Sequence, residues 1–581
     1  MATAGTSIGR LRVPPARRWY PLDGTSWIVG AFGAALALLV LSPLVALLYG
    51  AFMNAAPGEK GAFSLDAFVE AWSDPAAWTA AATSLGLAVA RLAVVMPITV
   101  FLAWALTRTN MPLRRLMEGL IVSHIFLPFL PLAMSWAVLA SPRSGLLNVL
   151  LRSALHLQGP EGPLNIYSVA GLVWLSGLGI PTYLYLLIGP AFRSMDASLE
   201  EAARMAGCGS LATLRRITLP LLAPAILGTA ILAFVLALQS FEPELILGAP
   251  AQVFVFSTQI FRYIEGFTVP RYGPATALSG LFLVVTFALV ILQARLLGRR
   301  RFITVTGRGF RARPIDLGRW RYLVLGVVFL FVFFSTLLPL ATLALASFMR
   351  IYGLFTANWF TTAHYETLLQ NAKLLPAIGN TIVMAALSAA LTMLLTLLTS
   401  YVATRTRLAG RQALDALTWL PLTMPGIVLA VGMIWAYVAF VRLPFPFYGT
   451  LAILIVAVTI TALPTGARLM NGTMVQIGAE LEESARVHGG SFVSTLRRIL
   501  VPLLTPALLS GWLVLFAFAT KNFVTVSLLY SPQSIVLPAL QYEMWNGGQA
   551  EGAAALGTIN MLFSLVLVLA YSLVSRGRGA I

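Results

Sequence analysis

The sequence has few of the residues on which soluble enzymes rely. Of its 581 residues, 10% are charged, one is Cys and four are His. A single Cys excludes a disulfide framework and any zinc site built from several cysteines. The four His residues are too dispersed for a local metal motif. Hydrophobic residues, by contrast, make up 59% of the chain, against about 45–50% in a soluble domain. This composition excludes a soluble globular enzyme, and it excludes disorder, which requires low hydrophobicity.

Long apolar runs predict an all-α integral membrane protein. A spanning helix needs about 20 mostly apolar residues, whereas the strands of a spanning barrel alternate apolar and polar residues. Twelve such runs predict about 12 transmembrane helices. They lie at 27–52, 79–106, 118–140, 165–189, 222–246, 275–298, 322–347, 377–403, 413–440, 449–469, 505–530 and 553–575.

The formal net charge of +18 comes almost entirely from Arg. The Arg residues cluster before the first predicted span and after the second, fourth and sixth. All of these stretches lie on one side of the membrane, and the positive-inside rule makes that side the cytoplasm. We therefore expect both termini to be cytoplasmic, membrane lipid to surround the chain, and no nucleic acid to bind it.

The chain contains an internal repeat. Residues 200–225 and 482–507 share 15 identities in 26 positions without a gap. Arg108-Thr109 likewise recurs as Arg405-Thr406, at an offset of 297 instead of 282. Both copies start on the same side, so the repeats are parallel and should be related by a pseudo-twofold axis along the membrane normal. The predicted domains are a cytoplasmic N-terminal tail at 1–26, a first membrane domain at 27–298, a basic cytoplasmic linker at 299–321 and a second membrane domain at 322–581.

The repeated segment predicts a short polar helix at the cytoplasmic surface. Acidic residues near its start complement the helix dipole, and a glycine suits its end. The first copy reads Glu201-Ala202-Ala203 with Gly207 four residues on, and the second reads Glu483-Ser484-Ala485 with Gly489.

Both copies resemble the EAA loop of permease subunits from bacterial type I ABC importers. The resemblance implies two tandem six-helix MetI-like permease repeats in the bacterial cytoplasmic (inner) membrane. It also implies two copies of an ABC ATPase subunit, one on each loop, and a periplasmic or lipid-anchored substrate-binding protein. The second copy departs from the motif at Ser484, where the family prefers Ala. The residues that the resemblance assigns to ATPase docking are Glu201, Ala202, Ala203, Gly207, Glu483, Ser484, Ala485 and Gly489.

The chain offers no Walker A motif for hydrolysing ATP. That motif requires a Gly-Lys pair, and the three Lys residues follow Glu59, Ala372 and Thr520. We therefore expect a transport permease and not an enzyme, without a cofactor or a resident metal site, and with ATP hydrolysis in a separate subunit.

Ionisable groups within spans are candidates for the translocation pathway. Arg91 lies near the middle of the second span, and its repeat counterpart is Ser388. It either faces the pathway or pairs with a carboxylate or carbonyl of its own half. Polar residues at the ends of spans five and eleven either line an outer gate or anchor the helices at the interface. They are Gln239, Ser240, Glu242, Lys521 and Asn522.

Fold resemblance alone does not fix the substrate. Fused double permeases import ferric iron, thiamine, phosphonate, polyamines or other small solutes, and residues 305–320 and 528–532 look most like the ferric-iron type. A gradient-driven secondary transporter remains an alternative, since twelve spans in parallel halves also suit that class. A membrane-embedded enzyme would need acidic, His or Cys residues clustered at one depth, and the spans show no such cluster.

Overall fold

A computed structural model gives the fold of most of the chain. The residues it describes are 26–298, 314–354, 358–406, 408, 410–440, 447–489 and 492–576. The predicted tail at 1–26, apart from Ser26, lies outside the described residues, and so do residues 299–313 of the linker predicted at 299–321.

Ten long helices confirm ten of the twelve predicted spans and the all-α membrane fold. Their bounds are Val29–Gly50, Pro75–Arg108, Val169–Ser194, Leu214–Leu238, Tyr272–Gln293, Trp320–Ser347, Leu374–Arg405, Leu451–Gln476, Leu496–Thr520 and Ala550–Leu567. The largest shift is in the span predicted at 505–530. Its helix starts at Leu496 with a π-helical turn. It ends at Thr520, because the polar Lys521 and Asn522 follow.

Each of the two remaining predicted spans is broken into two helices, which the sequence analysis did not predict. Helices Arg114–His124 and Phe129–Ala140 meet at 102°, and helices Arg411–Thr423 and Gly426–Ala439 meet at 105°. Each second helix is preceded by a proline whose ψ angle is not helical, Pro128 at ψ 137° or Pro425 at ψ 143°. A proline cannot donate the backbone hydrogen bond that would continue the helix. We call these pairs the first and the second bent pair.

Each half also has a short helix at the opposite end from the repeated loop, and neither was predicted. These outer helices span Phe256–Glu265 and Leu537–Asn546. The first follows a short segment, Glu244–Ala251, at 79°. A hydroxyl on the second long helix of each half fixes their start: Ser84 Oγ accepts from Phe256 N, and Thr381 Oγ1 accepts from Leu537 N, both at 2.8 Å.

The two halves exchange their first helices. Helix Val29–Gly50 packs against the second bent pair, where a Cβ on Gly432 would lie 2.5 Å from the carbonyl oxygen of Pro43. Helix Trp320–Ser347 packs against the first bent pair, and there His124 Nδ1 lies 3.0 Å from Thr336 Oγ1. Each half therefore completes the core of the other.

Candidate functional site

The repeated loops form two short helices between spans. We call Ala197–Met205 and Glu480–Val487 the docking helices. Asp196 precedes the first, and its Oδ1 accepts a hydrogen bond of 2.9 Å from Ser198 N. That backbone donor holds the pKa of the Asp196 carboxyl below its usual value. Both helices stop before a glycine in the left-handed region, Gly207 at φ +86° and Gly489 at φ +81°, as their sequence predicts.

The residues predicted to dock the ATPase are accessible. Glu201, Ala202, Glu483 and Ser484 are exposed, and so are the two stopping glycines, whereas Ala203 and Ala485 are half-buried. A Cβ on either glycine would meet nothing within 4 Å, so backbone conformation, and not space, requires glycine there. Docking by these residues remains a prediction that their exposure permits.

The acid before each exposed glutamate is buried. Glu200, 3% exposed, pairs with Arg108, which ends the second long helix. Thr218 Oγ1 donates to Glu200 Oε1 at 2.7 Å. Arg108 Nη1 also donates to the carbonyl of Met195 at 3.3 Å, just before the docking helix. The first docking helix is thereby tied to the span Pro75–Arg108.

The second half repeats this arrangement. Glu482 is 2% exposed, and its Oε1 lies 3.5 Å from Arg405 Nε. Tyr401 OH donates to Glu482 Oε2 at 3.2 Å, and Arg405 Nη2 donates to the carbonyls of Met474 and Ile477. We call Arg108–Glu200 and Arg405–Glu482 the docking clamps. Sequence reasoning missed them, although all four residues are identities of the repeat.

Ion pairs also show which loops share an end of the molecule. The Arg108–Glu200 clamp brings the stretch after the second span next to the stretch after the fourth. At the opposite end, Tyr263 OH donates to Asp74 Oδ2 at 2.7 Å, and Arg271 Nη2 lies 2.6 Å from Glu70 Oε1. Loops after even-numbered spans therefore lie at one end and loops after odd-numbered spans at the other, as expected for a chain that crosses a membrane repeatedly.

The structure places Arg91 in an ion pair within its own half. Its partner is Glu244, and both side chains are buried, at 1% and 0% exposure. Arg91 Nη1 donates to the carbonyl of Ala237 at 3.2 Å, and Ser240 Oγ donates to Glu244 Oε2 at 2.8 Å. The sequence left two roles open for Arg91, facing the pathway or pairing within its own half, and this geometry is that of pairing within its own half.

Replacing Arg91 by Met should destabilise the permease. The change leaves Glu244 buried without a counterion, which costs about 3–5 kcal/mol. We expect a lower thermal unfolding midpoint for the purified variant in detergent. Replacing both residues, Arg91→Met with Glu244→Met, should recover most of the loss, because no isolated charge remains. An Arg91→Met permease as stable as the unmodified chain would contradict the pairing.

Two of the predicted pathway residues lie at the contact between the halves. Gln239 Nε2 donates to the carbonyl of Leu422, beside the bend of the second bent pair, at 3.2 Å. Lys521 Nζ donates to the carbonyl of Ile125, at the bend of the first, and lies 3.4 Å from that of Leu127. Gln239 and Lys521 are equivalent in the repeat, as are Ile125 and Leu422. One contact between the halves is therefore made twice.

The other predicted pathway residues serve their own half or lie beside this contact. Asn522 Nδ2 donates to Thr461 Oγ1 at 3.3 Å, and Ser240 belongs to the Arg91 cluster. Glu242 is 8% exposed and lies close enough to Lys521 for their charges to interact. A role of these residues in translocation stays a prediction.

Similarity to known proteins extends over most of the chain. A family model described as the binding-protein-dependent transport system inner membrane component matches residues 95–302 and 396–579. A putative ferric transport system permease protein of Haemophilus influenzae is 29% identical over 75% of this chain and 68% of its own length. A ferric transport system permease protein of Actinobacillus pleuropneumoniae is 28% identical over 70% of this chain and 58% of its own length.

Further similarities cover about one half of the chain. A spermidine/putrescine transport system permease protein of Escherichia coli is 30% identical over 39% of this chain and 84% of its own length. The crystal structure of a bacterial ABC transporter involved in alginate import aligns with a TM-score of 0.36 at 21% identity, covering 45% of this chain and 96% of that one. The two regions matched by the family model together make up more than half of the sequence. The chain therefore belongs to the family of binding-protein-dependent transport system inner membrane components, the permeases of ABC importers, and it carries the family's domain twice.

Proposed function

We propose that this permease imports ferric iron. The observation that carries the proposal is the similarity to two relatives named as ferric transport permeases, over 75% and 70% of the chain. Matches of that length extend over parts of both halves. The spermidine/putrescine permease matches 39% of the chain, about one half, and polyamine is the second candidate.

We also propose that two ATPase subunits bind, one at each docking helix. The two helices lie at equivalent positions of the repeat, and each presents an exposed acid, Glu201 or Glu483. The sequence lacks the Gly-Lys of a P-loop, so a separate subunit has to supply the energy. A periplasmic or lipid-anchored binding protein would deliver the substrate at the opposite end, and we expect it, rather than the permease, to hold the ion.

The docking helices face the cytoplasm in this proposal, as do both termini. Support comes from the Arg-rich stretches after the second and fourth spans, which share an end of the molecule with the first docking helix. The proposed permease domains are 27–298 and 322–581, joined by the basic linker at 299–321. The two regions matched by the family model fall almost entirely within these domains.

Reconstitution of the complete transporter tests the proposal. The chain is purified from native membranes, its bound proteins are identified by mass spectrometry, and the complex is placed in vesicles with its binding protein. We expect two ATPase copies per chain, and uptake of radioactive ferric iron that requires both ATP and the binding protein. Spermidine uptake in place of iron uptake would overturn the substrate alone. Purification without an ATPase, with uptake driven by a proton or sodium gradient, would show a secondary transporter instead.

A further inference from the structure

Four aromatic rings meet where the two halves touch near the outer helices. Two contacts cross between the halves: the Phe241 and Phe523 ring centroids are 6.1 Å apart, and those of Phe261 and Tyr542 are 6.2 Å apart. Two further contacts, Phe241–Phe261 at 5.5 Å and Phe523–Tyr542 at 5.1 Å, lie within one half. Together they close a ring of contacts, which we call the ring cluster.

The ring cluster follows the internal symmetry of the chain. Phe241 and Phe523 are equivalent at the offset of 282, and Phe261 and Tyr542 are each the sixth residue of an outer helix. Phe241 and Phe523 are 1% and 0% exposed, and Phe261 is 9% exposed. A symmetric cluster formed by both halves lies on the pseudo-twofold axis, where a pathway between parallel repeats is expected.

A cavity of about 550 Å³ lies on the outer side of the cluster. Phe261 and Tyr542 belong both to the cluster and to the cavity wall, so the cluster borders the cavity. The remaining wall comes from both halves and carries polar groups, among them Arg262, Glu265 and Glu543. A cavity of this size and polarity admits water and a small polar solute.

On the other side, the cluster adjoins the contacts between the bent pairs and the opposite halves. Gln239 and Lys521 precede Phe241 and Phe523 by two residues, and each donates to a carbonyl at the bend in the other half. Movement of either bent pair would therefore be transmitted to the rings within two residues. The rings touch only through their faces and edges, contacts that are individually weak.

We propose that Phe241, Phe261, Phe523 and Tyr542 form the outer gate of the translocation pathway, closed in this structure, and that the cavity above it receives the substrate. When the halves move apart at the bends, the rings separate and the cavity connects with the interior. The proposal rests on the permease function of the chain and does not depend on the cargo being ferric iron. Ordinary core packing would explain the burial of the rings, but it predicts that joining them leaves transport unchanged.

A reversible cross-link across the gate tests the proposal in the assembled transporter. The background carries Cys208→Ser, which removes the single native thiol. Phe241→Cys with Phe523→Cys is then joined by a short, reducible bifunctional thiol reagent. We expect the link to form in the resting complex, transport to fall by about tenfold or more because a closed gate limits turnover, and reduction to restore it. The ATPase should stay bound throughout.

The control is a ring pair of similar spacing within one half. Phe52 and Phe63 stack at 5.2 Å in a loop after the first span, and linking Phe52→Cys with Phe63→Cys should leave transport unchanged. Absence of a link between the gate thiols at rest, or normal transport once they are linked, would overturn the gate. If the thiol variant fails to assemble, Phe241→Leu with Phe523→Leu decides. Vesicles containing that variant should leak a small dye without ATP, and tight vesicles would overturn the proposal.

Discussion

Reversing the charge of both exposed acids, Glu201→Arg with Glu483→Arg, should abolish ATPase association while the permease still inserts in the membrane. Each side chain is exposed on its docking helix, and neither makes a hydrogen bond or ion pair with another described residue. The substitutions therefore remove nothing that holds the permease together. Opposing like charges across an interface costs several kcal/mol, so we expect affinity for the ATPase to fall by about a hundredfold or more.

Co-purification from detergent-solubilised membranes measures this effect as ATPase copies per permease. Each single reversal should leave one ATPase bound, because the two docking helices are separate sites. The matched control is Glu161→Arg, in an outer loop where Glu161 is exposed and pairs with the exposed Arg143. That reversal should leave both ATPases in place. Normal association of the double variant would show that the ATPase docks elsewhere.

Much of the fold was predictable because a bilayer constrains helices strongly. Each long apolar run had to be a helix that satisfies its own backbone groups, and ten runs are such helices. The repeat then fixed the parallel arrangement of the halves. Its two offsets also identify, after the fact, which contacts are equivalent, such as Gln239–Leu422 and Lys521–Ile125.

The bends, the exchange of first helices and the gate were not predictable in the same way. The helix before Pro128 or Pro425 is more polar than the helix after it, but each pair taken together is long and apolar enough for one span. Hydropathy over a span-length window therefore cannot tell a straight span from two helices at right angles. An apolar helix in lipid has no polar face to reveal its neighbour, and the partner of Val29–Gly50 lies in the other half. Phe241 and Phe523 stand beside the polar residues that the sequence offers as an outer gate, but nothing in the sequence shows that their two rings meet across the halves.

The docking clamps show that the sequence also does not distinguish a buried from an exposed residue within one short helix. Glu200 and Glu201 are adjacent and chemically identical, yet one is buried and the other exposed, because Arg108 lies on one side of the docking helix. That partner is 92 residues away, and its recurrence as Arg405 was the one signal in the sequence that could have connected it with the loop. The distinction predicts opposite behaviour for neighbouring substitutions.

In the permease purified without its ATPase, Glu200→Gln should lower stability, whereas Glu201→Gln should leave stability unchanged. The first change leaves Arg108 buried without a counterion, at a cost of about 3–5 kcal/mol. The second alters an exposed side chain, where substitutions stay within about 0.5 kcal/mol. The measurement is the thermal unfolding midpoint of each variant, purified without ATPase. Adding Arg108→Met to Glu200→Gln should raise the midpoint again, because the unpaired charge is removed. Equal midpoints for the two single variants would contradict the clamp.

The second clamp should respond less to the same change. Arg405 Nε lies 3.5 Å from Glu482 Oε1, while the Arg405 guanidinium also donates to two backbone carbonyls. Those carbonyls remain in Glu482→Gln, and the new amide oxygen can still accept from Tyr401 OH. Arg108 donates to one carbonyl besides its carboxylate, so it loses more of its partners in Glu200→Gln. We therefore expect the unfolding midpoint to fall further for Glu200→Gln than for Glu482→Gln, and the reverse order would contradict this account of what holds each docking helix to its span.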